Sequence, residues 1–136
     1  MINQQWYKSI WSLDIKNQSW VEDTPKQIEF VLNTLKLKGN EKILDLACGF
    51  GRHSLYLANM GFDVVGVDIT KDYIDDAKKE AENKNLKVKF INDDIRNICF
   101  ENEFDVVLNL ADGAIGYLEN EALLEFEWND CVECPA

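Results

Sequence analysis

Apolar residues fall into two kinds of pattern along this chain. Short, nearly continuous apolar runs occur at about 42–47 (Lys-Ile-Leu-Asp-Leu-Ala), 63–68 (Asp-Val-Val-Gly-Val-Asp), 87–92 (with Val88, Phe90 and Ile91) and 104–110 (Phe-Asp-Val-Val-Leu-Asn-Leu). Runs this short predict strands buried on both faces, as in a parallel sheet. Between them apolar residues recur at helical spacing: Ile28, Val31, Leu32 and Leu35; Leu55 and Ala58; Ile74, Ala77 and Ala81. The first set predicts a helix that Thr24 caps, with Pro25 at its first position, Gln27 completing a capping box and Gly39 ending it. The second spans about 52–60 and stops at Gly61. The third runs from Thr70, which can cap it, to about Lys84, with acids early and Lys78, Lys79 and Lys84 late, in agreement with the helix dipole. A last helical pattern covers Glu119–Trp128, with Leu123, Leu124 and Phe126 inward. Alternating strands and helices predict an α/β fold, a doubly wound parallel sheet.

Composition narrows this picture. At 136 residues the chain is expected to form one domain. Its expected parts are an N-terminal helical cap (1–40), a core (41–118) and an acidic C-terminal helix or tail (119–136). No apolar run approaches the roughly 20 residues of a membrane span. Met-Ile-Asn-Gln-Gln-Trp-Tyr-Lys lacks the basic start and apolar centre of a signal peptide, so a cytoplasmic protein with no membrane partner is expected. The net charge of −11 sits almost wholly in residues 97–136, which carry ten acids and no base. An acidic chain without a basic stripe argues against nucleic acid as a partner. The acidic end reads as a solvated surface. Four cysteines (Cys48, Cys99, Cys131, Cys134) show no disulfide framework, which fits a reducing compartment. Cys131-Val-Glu-Cys134 lacks the second pair that a zinc site needs, so no metal is expected. Trp6, Tyr7, Ile10, Trp11 and Leu13 suit a short amphipathic helix, and with Trp20 they form either an aromatic flap on the core or a lid over a ligand mouth.

The candidate chemistry centres on residues 42–54. A strand ends in Gly49-Phe-Gly51, and a helix starts at Arg52. Two glycines allow a sharp turn and close approach of a ligand. The helix N-terminus offers free N–H groups to an anion. Asp45 would repel a pyrophosphate in that loop and attract a cationic amine. Asp68, at the end of the second strand, can accept hydrogen bonds from both hydroxyls of a ribose. That supports a nucleoside ligand and leaves nicotinamide and S-adenosylmethionine (SAM) both open. The lone histidine, His53, is expected to pack or cap, and no catalytic base stands out.

Asp45-Leu-Ala-Cys-Gly-Phe-Gly51 closely resembles motif I of the class I SAM-dependent methyltransferases, roughly D/E-x-x-C-G-x-G. Gly51-Arg-His-Ser-Leu-Tyr-Leu-Ala58 is similar to small-molecule members of that superfamily. Asn92-Asp93-Asp94-Ile95 resembles the family's G-D segment, with Asp93 in place of Gly, and 104–110 resembles its motif IV. The resemblance implies a Rossmann-like sheet of order 3-2-1-4, incomplete relative to the family's seven strands and apparently truncated after the fourth. It implies SAM as cofactor and S-adenosylhomocysteine as product. Asp45 would neutralise the SAM ammonium, directly or through water. Ala47, Cys48, Gly49 and Gly51 would contact the methionine portion. Arg52 or the helix N-terminus would meet its carboxylate. Asp68 with Ile69 would hold the ribose, and Asp94 with Ile95 the adenine. Asn109 and Leu110 would line the cofactor beside the methyl group.

The implied reaction is methyl transfer to a small-molecule acceptor. Two alternatives stay open: a SAM-binding half-domain without activity, and a nicotinamide-dependent oxidoreductase. The fourth strand would lie at an open edge, which a fragment's missing part, residues 119–136, or a second copy of the chain would cover.

Overall fold

The computed structural model describes residues 12–110. Four strands, β1 (Lys42–Leu46), β2 (Asp63–Asp68), β3 (Val88–Asn92) and β4 (Val106–Leu108), form one sheet in the order β3-β2-β1-β4. Every pairing is parallel. Helices α1 (Thr24–Leu35), α2 (Arg52–Asn59) and α3 (Lys71–Asn83) complete the regular structure, after two short 3-10 turns at Leu13–Asn17 and Ser19–Asp23. Strands, helices and strand order thus match the sequence expectation, with β4 shorter than the predicted 104–110. The predicted helix at 119–128, the Cys131–Cys134 pair and most of the N-terminal aromatics lie outside the described residues.

Strand side chains alternate between two faces. Ile43, Val64, Val106 and Leu108 pack with Ile28 and Val31 of α1 and Leu57 of α2. Phe90 packs with Ile74, Ala77 and Ala81 of α3. The opposite face, built from Leu44, Leu46, Val65, Val67 and Val107, is covered by Ile95, Ile98, Phe100 and Phe104 of the irregular β3–β4 connection. All three described helices therefore sit on one face of the sheet. Because the strands are parallel, their carboxyl ends share one rim, where ligands bind in open α/β sheets.

Three local expectations are corrected. Thr24 and Gln27 form no capping box: the Thr24 hydroxyl donates to the Val21 carbonyl at 2.6 Å, and Gln27 turns to α2. α1 ends before Gly39, because Lys36 adopts the left-handed conformation (φ 53°) and its N–H reaches the Leu32 carbonyl. The Glu41 carboxylate then accepts the N–H groups of Lys38 and Gly39. Cys99, exposed on the β3–β4 connection, is disulfide-bonded, so the cysteines no longer argue for a reducing compartment. Among the described residues no helix is long and apolar enough to cross a membrane.

The two loop glycines do different work. Both have positive φ, 60° at Gly49 and 84° at Gly51. A Cβ on Gly49 would meet nothing within 4 Å, whereas one on Gly51 would lie 2.7 Å from the Phe90 ring. Gly51 is therefore required for packing against β3, and only Gly49 leaves open space. Gly51→Ala is expected to lower unfolding stability by about 2–3 kcal/mol, from overpacking plus left-handed strain. Gly49→Ala is expected to cost about 1 kcal/mol, from strain alone. Denaturant midpoints of the two variants check the order, and equal losses would contradict it.

Candidate functional site

The loop that leaves β1 alternates inward and outward residues. Cys48, Phe50 and Gly51 are buried, while Ala47 and Gly49 are partly exposed. Cys48 belongs to the α3-side core, and burial pushes its thiol well above the usual cysteine range, which leaves it neutral. Three residues take left-handed backbone, Ala47 (φ 51°), Gly49 and Gly51, so the chain folds back on itself within a few residues. The Cys48 N–H donates to the Val67 carbonyl and the Gly51 N–H to the Cys48 carbonyl, each at 3.0 Å.

Asp68 fixes that loop from the neighbouring strand. Its Oδ2 accepts the Gly49 N–H at 2.9 Å, and its Oδ1 accepts the Thr70 N–H at 2.8 Å. Thr70 is the N-cap of α3 but makes no side-chain cap bond, so Asp68 supplies the local turn. Burial raises the Asp68 pKa, against the lowering effect of those two N–H groups. Sequence reasoning missed the other half of this junction. The Asp68 carbonyl accepts from the Asn92 side-chain amide at 3.0 Å and from the Asp93 N–H at 3.1 Å. The ends of β1, β2 and β3 thus converge on one residue. The signal that would have found Asn92 is a polar side chain ending the strand beside Asp68.

Asp94 and Ile95 follow on the same rim and are partly exposed. The Asp94 carboxylate is bound by the Arg96 guanidinium, with contacts of 2.5–3.1 Å, and by the Arg96 N–H at 2.9 Å. The Asp93 carboxylate accepts the Asp94 N–H at 2.7 Å. Ile69 is partly exposed beside Asp68, and Asn109 and Leu110 continue β4 onto the rim. The structure therefore brings Ala47, Gly49, Asp68, Ile69, Asp94, Ile95, Asn109 and Leu110 to one edge of the sheet.

Asp45 and Arg52 lie elsewhere. Asp45 is in mid-sheet and only 2% exposed. Its Oδ2 accepts the Ser54 hydroxyl of α2 at 2.6 Å. Arg52 points to α1: Nη1 donates to Thr24 Oγ1 at 2.8 Å and to Gln27 Oε1 at 2.7 Å. Its guanidinium also lies 4.9 Å from the Trp20 ring centroid, a cation–π distance. His53 Nε2 shares the Gln27 oxygen at 2.7 Å, which makes the ring nitrogen the donor. The residue is buried, and burial pushes its pKa down to about 4, helped by the charge of Arg52. His53 is a neutral packing group, as expected. Gln27, unremarked in the sequence beyond a cap role, clamps the first turn of α2 to α1.

Known proteins show the same arrangement of sequence. Residues 43–126 match a family described as a methyltransferase domain. The ubiquinone biosynthesis O-methyltransferase of Rickettsia typhi is 32% identical over 98 residues, covering 69% of this chain and 39% of that protein. A 23S rRNA (uracil(747)-C(5))-methyltransferase of Pyrococcus abyssi is 50% identical over 50 residues, covering 37% of this chain and 12% of that protein. Among solved structures, the PH0226 protein of Pyrococcus horikoshii OT3 superposes with a TM-score of 0.62 at 36% identity, covering 74% of this chain and 48% of that one. The chain spans less than half the length of each of these relatives.

Two buried groups give opposite pH dependence. Burial, reinforced by the charge of Asp68, raises the Asp45 pKa to about 6, against the Ser54 hydrogen bond and the charge of Arg52. A raised carboxyl contributes stability that is full below the unfolded value of about 4 and is lost as pH rises through about 6. The depressed His53 contributes stability above about 6.5 that is lost as pH falls toward about 4. Comparing a variant with the wild type separates them. Asp45→Asn is expected to gain stability relative to wild type between pH 4 and 7, by up to about 3 kcal/mol, and to level off above. Unfolding curves across that range test this, and a difference that is flat or falls with pH would refute the buried, raised carboxyl.

Proposed function

Because the chain belongs to the class I SAM-dependent methyltransferases, we propose that it holds SAM along the carboxyl rim of its sheet and serves methyl transfer to a small acceptor. The observation that carries this is the junction at Gly49 and Asp68. Gly49 leaves open space where a Cβ would stand, and a carboxylate 8% exposed is fixed beside it.

The residues present suit the cofactor. Each Asp68 oxygen accepts one backbone N–H and keeps a further lone pair for a ribose hydroxyl. The family resemblance assigns Asp94 to the adenine amino group, and Ile69 and Ile95 offer apolar contact to the rings. Ala47 and Gly49 face the methionine portion, while Cys48 and Gly51 support the loop from beneath. Asp45 contributes a negative field from below the loop. Arg52 braces α2 against α1, which leaves the start of α2 as the partner for the cofactor carboxylate. Asn109 and Leu110 border the reacting end.

When bound, SAM supplies a methyl carbon whose bonding pair returns to sulfur, with S-adenosylhomocysteine as product. The protein's part is to position the reactants and exclude water. No residue on the described rim is placed as a general base, since His53 is buried against Gln27, so an acceptor that is already nucleophilic suits the site. The net charge of −11 supports a small acceptor over a nucleic acid. A second reading, cofactor binding without turnover, draws on the chain's short span relative to its relatives.

Calorimetry with SAM, S-adenosylhomocysteine and NADH tests the assignment. Micromolar binding of the first two and none of NADH is expected. Asp68→Ala should weaken binding about a hundredfold by removing two hydrogen bonds to a charged group, while circular dichroism reports the fold. Folded wild-type protein that binds NADH, or binds none of the three, would overturn it. Turnover of offered amines, phenols or RNA by the 136-residue chain then separates the transferase from the binding-only reading and the small acceptor from nucleic acid.

A further inference from the structure

The chain has four cysteines, and the structure sorts them. Cys48 is a free thiol, buried in the core under α3. Cys99 is exposed and disulfide-bonded. Since Cys48 is free, the partner of Cys99 is one member of the Cys131-Val-Glu-Cys134 pair. Counting within the chain then leaves the other member as a thiol, with only Val132 and Glu133 between it and a disulfide sulfur.

The fold gives this bond one fixed end. Ile98 is 7% exposed and packs with Leu44, Leu46 and Val67 of the sheet. Phe100 joins the same cluster and meets Phe104 edge to face at 4.9 Å. Cys99 is therefore an exposed residue between two anchored neighbours. An exposed disulfide is open to attack by a thiolate, whereas a buried thiol such as Cys48 is shielded from that chemistry.

We propose that Cys99, Cys131 and Cys134 form a thiol–disulfide exchange relay. The thiolate of the unbonded cysteine attacks the sulfur of its pair member. The Cys131–Cys134 bond forms as the bond to Cys99 breaks, and Cys99 leaves as a thiolate that takes up the proton the attacking thiol gave up. One disulfide is lost and one is made, so the step needs no oxidant or reductant. It switches the β3–β4 connection between a form tied to the C-x-x-C segment and an untied form with an exposed thiol.

Peptide mapping of the 136-residue chain tests the relay. The chain is oxidised with glutathione disulfide, cleared of it in acid, returned to neutral buffer and blocked with N-ethylmaleimide at successive times. Cleavage after Glu101, Glu127 and Glu133 puts the three cysteines on separate peptides. The Cys99 peptide is expected to start linked to the peptide of Cys131 or Cys134. The Cys131–Cys134 link should then grow as the Cys99 link falls, with total disulfide constant. Its rate should rise about tenfold per pH unit, since the thiolate is the nucleophile. Cys99→Ser is expected to hold only the Cys131–Cys134 bond. Cys131→Ser and Cys134→Ser are each expected to keep the bond to Cys99 and to show no exchange, and Cys48 should be blocked only in denaturant. A Cys99 that is blocked from the start, bonded between two chains, or linked without ever exchanging would overturn the proposal.

Discussion

The site depends on one carboxylate. Asp68 ends β2, and its two oxygens accept N–H groups from Gly49 in the β1 loop and from Thr70 at the start of α3. Its backbone carbonyl accepts from Asn92 and Asp93 at the end of β3. Loops that leave adjacent parallel strands have unpaired backbone groups, which need partners once water is excluded. An acid at this position satisfies them and holds neighbouring strand ends in one register. Burial raises its pKa, and the two N–H groups oppose that rise. The side chain that organises the loop is the one proposed to meet the ribose hydroxyls.

The glycine loop has two sides with different physics. Beneath it, Cys48, Phe50 and Gly51 are packing groups against α3 and β3, and Phe50 meets Tyr73 edge to face at 6.4 Å. Above it, Ala47 and Gly49 face outward. Below both, Asp45 is held by Ser54 in a buried position where its charge is expensive. The loop is thus rigid from below and electronegative, and it offers a surface without side chains beyond Cβ. That combination suits close approach by a cation.

Much of this was legible in the sequence because it rests on local pattern. The four strands and the helix starts at Arg52 and near Thr70 follow from spacing, and the order β3-β2-β1-β4 follows from the resemblance to the methyltransferase family. Long-range partners were not legible. Thr24 and Gln27 satisfy a local capping rule but are drawn to Arg52 and His53, more than twenty residues away. Gly51 looks like a ligand-approach glycine, yet Phe90 sets its requirement. Arg52 looks like a carboxylate partner, yet Trp20 and α1 hold it. Lys36 ends α1 where Gly39 had the better propensity, because the chain must turn early to deliver Leu37 to the core beside Leu32. In each case a tertiary contact overrides a local preference.

The Asp68 carboxylate holds the loop at Gly49. Amide hydrogen exchange at Gly49 and Thr70, read by NMR in wild type and in Asp68→Ala, addresses it directly. Slow exchange is expected at both amides in wild type. Exchange faster by about tenfold or more is expected at both in the variant, with the β1 and β2 core amides unchanged. Exchange at Gly49 that is already fast in wild type, or that the substitution leaves unaltered, would contradict it.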